Sequence, residues 1–535
     1  MIKCPGCGAM MKFSPALQKL ECEHCGRIER VADVSNSRNA QYFDAMCYTC
    51  PDCGADILSN DDTAVTFCNY CGNSVALEGR LEQLKKPKRI IPFKKTYDEA
   101  VKSYASLVKG ALFAPNSLIS DSSIDNFRGI YMPYWTYEYR GKGDSKFYAY
   151  KTRRSGDYIL NDNYEVKASY ECEYEGLSFD ASAVFFDRFS DAIAPFNIVD
   201  ARDFDEGYLA GFYADAGDVE AQVYKEKALT MINHDMGSNV TDLKEMKMMT
   251  ILQNSLKFTP ETENSEETLS YFPVWFLANK YGDKVSYAVV NGQTGEAAAD
   301  IPISYTRFII GALMLSLPLI LLLNTVFTLR AGALLFFTML FSVVSLYIVN
   351  SMADALYTRS NYFDDKGMQL KRFGNIQHVS KINKKTDTKE VVKFINKSLG
   401  AIVFVLIVLI DIGLMSLDGQ LETGAVFAIF IGFYVVGYID EKLKKKNRPT
   451  VKKRAEKIII KQPLDGKSKY LVKPMASILI SIIILLIDPT MDYWYYGGTI
   501  IAMILTLVSF FDLISIHNEL TLRTPPQFNR RGGDI

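Results

Sequence analysis

The last part of the chain is dominated by six apolar runs, at about 307–324, 331–350, 399–417, 424–440, 472–487 and 498–515. Each is close to the roughly 17–25 residues a helix needs to cross a bilayer core. In lipid every backbone amide must be paired within the protein, so such runs are expected to be membrane-spanning helices. They pair as three helical hairpins across short turns at 325–330, 418–423 and 488–497. The connections 351–398 and 441–473 carry ten and thirteen Lys+Arg, whereas the short turns carry only Arg330. The positive-inside rule then predicts a multi-pass protein of the cell membrane with both termini cytoplasmic. Lys442, Lys444, Lys445, Lys446 and Arg448 follow a run directly and are expected to lie on the anionic bilayer surface, where each gains about 1 kcal/mol. Asp411, in the third run, is the candidate intramembrane functional residue, with Asp512 near the inner end of the sixth. Neither has an evident basic partner within the runs, and a buried hydrogen-bonding aspartate is the plainer expectation for both.

Eight of the ten cysteines form four Cys-x-x-Cys pairs: Cys4/Cys7, Cys22/Cys25, Cys50/Cys53 and Cys68/Cys71. Cys7 to Cys22 and Cys53 to Cys68 are each separated by 14 residues, so one unit occurs twice. Glycine follows every pair (Gly8, Gly26, Gly54, Gly72), supplying the positive φ that lets a thiolate-bearing turn close. Two such turns complete a tetrahedral site, predicting two Cys₄ zinc ribbons with two structural Zn²⁺ ions and no open coordination position. A disulfide framework is the competing reading, but Cys4 opens directly into the first turn with no signal peptide ahead of it. Cys47 competes with Cys50 as a ligand; Cys50/Cys53 carries the Pro and Gly of the other pairs. His24 is expected to face solvent, and Cys172 to fill a small apolar gap.

The net charge of −1 conceals three parts: 0 over 1–90, −12 over 91–306 and +11 over 307–535. Nucleic-acid binding needs a basic surface, so the neutral ribbons argue against DNA or RNA and for protein contacts. The acidic middle reads as a soluble α+β domain. Ile90-Ile91-Pro92-Phe93 is a short strand; Thr96-x-x-Glu99 is a capping box opening a helix that stops at Gly110. Residues 218–235 read as helix and Glu261–Glu267 as a polar loop. Tyr131-x-Pro133-x-Trp135 recurs as Tyr271-x-Pro273-x-Trp275, followed by Gly143-Asp144 and Gly282-Asp283 respectively. Each copy predicts an aromatic strand, a Gly-Asp turn and a return strand, with the proline at a strand entry or sheet edge. The tryptophans are expected in the core rather than stacked on a ligand.

The expected architecture is therefore multidomain. It comprises zinc ribbons at 1–35 and 45–80, a basic linker and first strand at 81–95, an α+β domain with a repeated β-hairpin at 96–306, and a polytopic helical domain at 307–535. The order of ribbon, Ile-Ile-Pro-Phe-Lys-Lys, Gly129-Ile130-Tyr131-Met132-Pro133-Tyr134-Trp135, Phe272-Pro273-Val274-Trp275 and Val290-Asn291-Gly292-Gln293-Thr294-Gly295, with Ile301-Pro302 ahead of a membrane run, resembles a bacterial family. These are zinc-ribbon membrane proteins often labelled TFIIB-type zinc-ribbon domain-containing proteins. The resemblance covers about residues 1–310 and implies a membrane adaptor linked to envelope stress. This chain departs from the pattern by carrying two ribbons and a long membrane region.

No catalytic motif is present: there is no phosphate loop, nucleophile elbow or His-Glu-x-x-His, and the four histidines are scattered. Two classes of function remain. One is an adaptor or scaffold whose cytosolic modules dock protein partners at the bilayer. The other is a transporter or channel with a zinc-ribbon regulatory head.

Overall fold

The computed structural model describes residues 2–34, 42–59, 68, 70–72, 79–120, 126–156, 158–243, 246, 249–252, 262–281, 284–326, 330–360, 364–373 and 465–522. The first cysteine segment builds its own antiparallel sheet from β1 (Lys12–Ser14), β2 (Lys19–Glu21) and β3 (Ile28–Glu29). The second does not stand apart as a 45–80 domain. Its strands β4 (Tyr42–Thr49), β5 (Asp56–Ser59) and β6 (Gly79–Lys85) form one end of a large mixed sheet. Tyr48, Ile57 and Ala55 are each at most 3% exposed there. A free-standing ribbon is too small to bury them.

Next come β7 (Arg89–Ile90) and α1 (Tyr97–Gly110), which starts and stops as expected. Thr96 Oγ1 accepts from Glu99 N at 3.4 Å and Glu99 Oε2 accepts from Thr96 N at 2.9 Å, the reciprocal box. Ala100, Tyr104 and Val108 form its buried face.

The sheet is organised by β8 (Arg128–Ser155), which pairs antiparallel with β9 (Tyr158–Asp180) on one side and β13 (Thr262–Tyr281) on the other. The two sequence repeats meet in that central ladder. Tyr131 lies opposite Pro273, Met132 opposite Phe272, and Pro133 opposite Tyr271. The prolines are therefore in mid-sheet, not at an entry or edge. Each sits where its strand changes outer neighbour. β8 passes from β11 (Tyr213–Ala214) to β9 around Pro133, and β13 passes from β7 to β14 (Lys284–Asn291) around Pro273. The missing N–H falls at the handover, where no ladder bond is lost. Each proline carbonyl is used: Pro133 O accepts from Ala181 N and Pro273 O from Gly292 N, both at 2.8 Å. Trp135 and Trp275 donate through Nε1 to Val219 O (2.7 Å) and Lys95 O (3.0 Å) and pack in the core.

Two expectations fail here. Gly143-Asp144 is not a turn: Asp144 pairs with Ser169, and the strand continues to Gly156, whose φ is 62°. The second copy does fold back, Tyr281 pairing with Lys284. The difference lies in cover. The long hairpin has helix α3 (Gln222–Asp242) over one face, so Tyr139 packs with Ile232 and Met236, and further out Phe147 and Ala149 pack with Met246 beside β12 (Thr250–Ile251). The polar loop at 261–267 is strand from Thr262 onward, its carboxylates held by Lys88 to Glu266 (2.5 Å) and Lys225 to Glu267 (3.3 Å). The helix expected at 218–235 runs instead over Gln222–Asp242.

Helices α4 (Tyr305–Val326), α5 (Ala331–Ser360), α6 (Lys366–Phe373), α7 (Asp465–Ile487) and α8 (Asp492–Thr521) follow, with α2 (Asp187–Ile193) earlier, under the sheet. Three stretches are long and apolar enough to cross a membrane: Ala331–Ser360, Lys469–Ile487 and Asp492–Thr521. The run at 307–324 lies in α4, whose apolar stretch Tyr305–Pro318 is shorter than the other three. The runs at 399–417 and 424–440, with Asp411 and with Lys442, Lys444, Lys445, Lys446 and Arg448, lie outside the described residues. The six spans thus reduce to three among the described residues.

The three long helices share an interior of hydroxyls. Ser342 Oγ is 2.7 Å from both Ser477 Oγ and Thr506 Oγ1, and Ser345 Oγ is 2.9 Å from Ser509 Oγ. Such contacts replace the hydrophobic effect, which lipid does not supply between helices. Asp512, read above as lacking a basic partner, binds Lys473 Nζ at 2.7 Å. Lys473 lies more than two turns into α7, and only folding brings it to α8.

The sheet domain is fastened to these helices at three places. Asn518 of α8 clamps the backbone of Ile303, accepting from its N at 2.7 Å and donating to its O at 3.0 Å. Asp300 receives Arg188 in a two-pronged ion pair and Arg359, from the end of α5, at 3.8 Å. Helix α6 docks on the sheet domain: Lys366 N donates to Asp187 Oδ2 (3.1 Å), and Asp187 N donates to Asp365 Oδ2 (3.2 Å).

Candidate metal centres

Four local turns create the sites. In each Cys-x-x-Cys-Gly segment the glycine N–H donates to the first cysteine's carbonyl: Gly8 to Cys4 (2.9 Å), Gly26 to Cys22 (2.8 Å), Gly54 to Cys50 (2.7 Å) and Gly72 to Cys68 (3.0 Å). The four glycines have φ of 70–75°, the left-handed region that a β-carbon disfavours. Both thiols of a turn are thereby aimed at one point.

The turns come together in pairs. Cys4, Cys7, Cys22 and Cys25 form one group and Cys50, Cys53, Cys68 and Cys71 the other, with the sulfurs of each group within 4.8 Å of one another. The closest approaches are Cys7–Cys22 at 3.5 Å and Cys4–Cys25 at 3.6 Å in the first. In the second, Cys50–Cys71 and Cys53–Cys68 are both 3.7 Å. A disulfide requires about 2.05 Å. A tetrahedral ion with metal–sulfur bonds of about 2.3 Å places its sulfurs about 3.8 Å apart. The donor set therefore fits two structural metal ions and excludes a disulfide framework.

Proton sharing points the same way. In the second group hydrogen bonding with Cys50 pushes the Cys53 thiol far up, and Cys50 is held far down by its bonds to Cys53, Cys68 and Cys71. Four thiols this close cannot all ionise without a cation among them. A divalent ion held by all four cysteines would supply that charge and leave no ligand position for a substrate.

The expected ligands are thus all brought together, and Cys50 rather than Cys47 belongs to the second site. Cys47 is paired with Arg80 and Leu58 across β4–β6 and β4–β5, and burial pushes its thiol up to about 12. His24 is exposed, and Cys172 packs beside Tyr139 on the hairpin. The Asp300–Arg188–Arg359 cluster and the seam of Asp187 with Asp365 left no signal in the sequence, because their members are far apart along it.

No family model matches the chain, and no solved structure matches it. Among curated proteins it is similar to one of Bacillus subtilis (strain 168) described as "Uncharacterized protein YdjG". The two are 25% identical over 313 residues, which is 56% of this chain and 90% of the relative.

Proposed function

We propose that this protein is a membrane-anchored zinc-ribbon adaptor, its two centres holding Zn²⁺ and its sheet domain presenting docking surfaces to protein partners on the cytoplasmic side. The observation that carries this reading is the fastening of the sheet domain to the apolar helices through Asp300 with Arg359 and through Asn518, which suits a scaffold held at a fixed place on the bilayer. Closed four-thiolate sites contribute folding energy and leave no ligand position for a substrate. The basic connections, on the positive-inside rule, give the orientation. The test is crosslinking in native membranes followed by purification in detergent. A protein recovered in fixed ratio with the chain, and lost when either cysteine group is changed to serine, supports the adaptor.

One observation favours a second reading. The Lys473–Asp512 pair lies within the apolar stretches of α7 and α8, and ionisable residues in membrane segments often mark ion pathways. Proton or cation flux in reconstituted liposomes that Asp512→Asn abolishes would establish a transporter and displace the adaptor. Binding of nucleic acid in a gel shift at physiological salt would displace both.

A further inference from the structure

The two cysteine groups share a turn but not an environment. In the second, all four cysteines are at most 1% exposed and lie in one core with Tyr70, Phe276 and Tyr287. Tyr287 Oη also donates to Tyr70 O at 2.7 Å, tying the last turn beneath β14. In the first, Cys4 and Cys22 are buried but Cys7 and Cys25 are exposed. That ribbon has a sheet of its own, and its inner side, with Cys4 and Cys22, shares a core with Phe43, Phe93, Tyr208 and Leu209 of the sheet domain, which leaves the Cys7 and Cys25 side open. Phe13 N donates to Ala210 O at 2.9 Å, and the Phe13 ring meets Tyr208 edge-on at 5.2 Å. Gln18 Nε2 donates to Phe93 O at 2.6 Å.

We propose that the first cysteine group is a site of thiol oxidation and metal release, with hydrogen peroxide as oxidant, and that the second is a permanent structural centre. The inference rests on metal occupancy of both groups, as read above. A metal-bound thiolate is a nucleophile, and its attack needs access as well as charge. The exposed Cys7 sulfur attacks the peroxide, forming an S–O bond as the O–O bond breaks and hydroxide leaves to take up a proton as water. The neighbouring Cys22 thiolate then attacks that sulfur, forming the disulfide and expelling the second oxygen, which is protonated to water. Cys25 and Cys4 repeat the sequence with a second peroxide. Four thiolates, two peroxides and four protons thus give two disulfides and four waters, and the divalent ion leaves without changing oxidation state. The pairing follows the shortest sulfur–sulfur approaches, Cys7–Cys22 and Cys4–Cys25. Among the described residues the second group offers no exposed sulfur, because all four of its cysteines lie in the main core. Without its ion the first ribbon loses the links between its two turns and keeps only the packing of Ile2, Met11, Phe13, Leu20 and Val31 in the core shared with Phe43, Tyr208 and Leu209. Its unfolding uncovers Tyr208 and Leu209 of the sheet domain.

The experiment uses the full chain in detergent, with its metal measured beforehand, titrated with hydrogen peroxide. Metal release is followed with a chromogenic chelator, cysteines by differential alkylation and mass spectrometry, and residues 204–214 by hydrogen exchange. One equivalent of the two is expected to leave at least about tenfold faster than the other. Cys4, Cys7, Cys22 and Cys25 should lose alkylation together, 204–214 should exchange faster, and dithiothreitol with fresh zinc should reverse all three. Loss of both equivalents at one rate, or protection of the first four thiols while the second four react, overturns the proposal. A preparation holding fewer than two equivalents refutes the occupancy reading by itself. The alkylation pattern, which needs no metal count, still decides this one.

Discussion

Asp300 is 5% exposed and stands between two arginines, Arg188 beneath the sheet and Arg359 at the end of α5. Removing one member of a buried charge cluster leaves the others uncompensated. Asp300→Ala is expected to lower stability by about 3 kcal/mol, read as a fall in the melting temperature of the detergent-solubilised chain by tryptophan fluorescence. An unchanged melt would show that the cluster fastens nothing. Elsewhere, burial raises the carboxyls of Asp180 and Asp365, each helped by the charge of Asp187 nearby, with Asp191 and Lys227 also facing Asp180. A carboxyl whose folded pKa is raised binds its proton more tightly in the folded state. Its contribution is therefore complete below the ordinary carboxylate value of about 4 and is lost as pH rises through the folded value. Asp180→Asn should raise the melting temperature at pH 8 and leave it nearly unchanged at pH 4; an equal effect at both would refute the assignment. None of this was legible in the sequence, because Asp300 reaches partners 112 and 59 positions away. The cysteines were legible because Cys-x-x-Cys-Gly closes a turn within five residues, with no help from the rest of the chain.

Among the elements, α1 was readable from its capping box and the long hairpin was not. Gly143-Asp144 carries a local turn signal that tertiary cover overrides: the face continued by Phe147 and Ala149 has Met246 to pack against, so the ladder outruns the turn. Beyond Tyr150 that cover ends, and Thr152, Arg153, Arg154, Tyr158 and Ile159 are all exposed. Replacing residues 151–162 by a two-residue Asn-Gly turn is therefore expected to leave the melting temperature unaltered. Phe147→Ala, 1% exposed in the native protein, should cost about 3 kcal/mol. Comparable losses from both changes would mean the tip is held by something other than the cover described.

Across the whole molecule, the two centres and the apolar helices were legible as patterns, whereas the merging of the second ribbon into the main sheet was not, since β5 finds β11 more than 150 residues away. The intact chain is expected to hold two zinc equivalents by metal analysis. Cys50→Ser should reduce this to one and Cys47→Ser leave it at two; the reverse order would return Cys47 to the ligand set. At the centre of the sheet, Tyr131 opposite Pro273 and Pro133 opposite Tyr271 are the same pair read from its two ends, with Met132 and Phe272 on the axis between them. A strand that pairs in register with its own copy obeys a local dyad. A shorter polypeptide with a single Tyr-x-Pro-x-Trp segment would therefore find in a second molecule the complement that this chain supplies to itself. In that sense the middle of the domain is a homodimer interface closed within one polypeptide, and a change at one copy is met across the dyad by its unaltered twin.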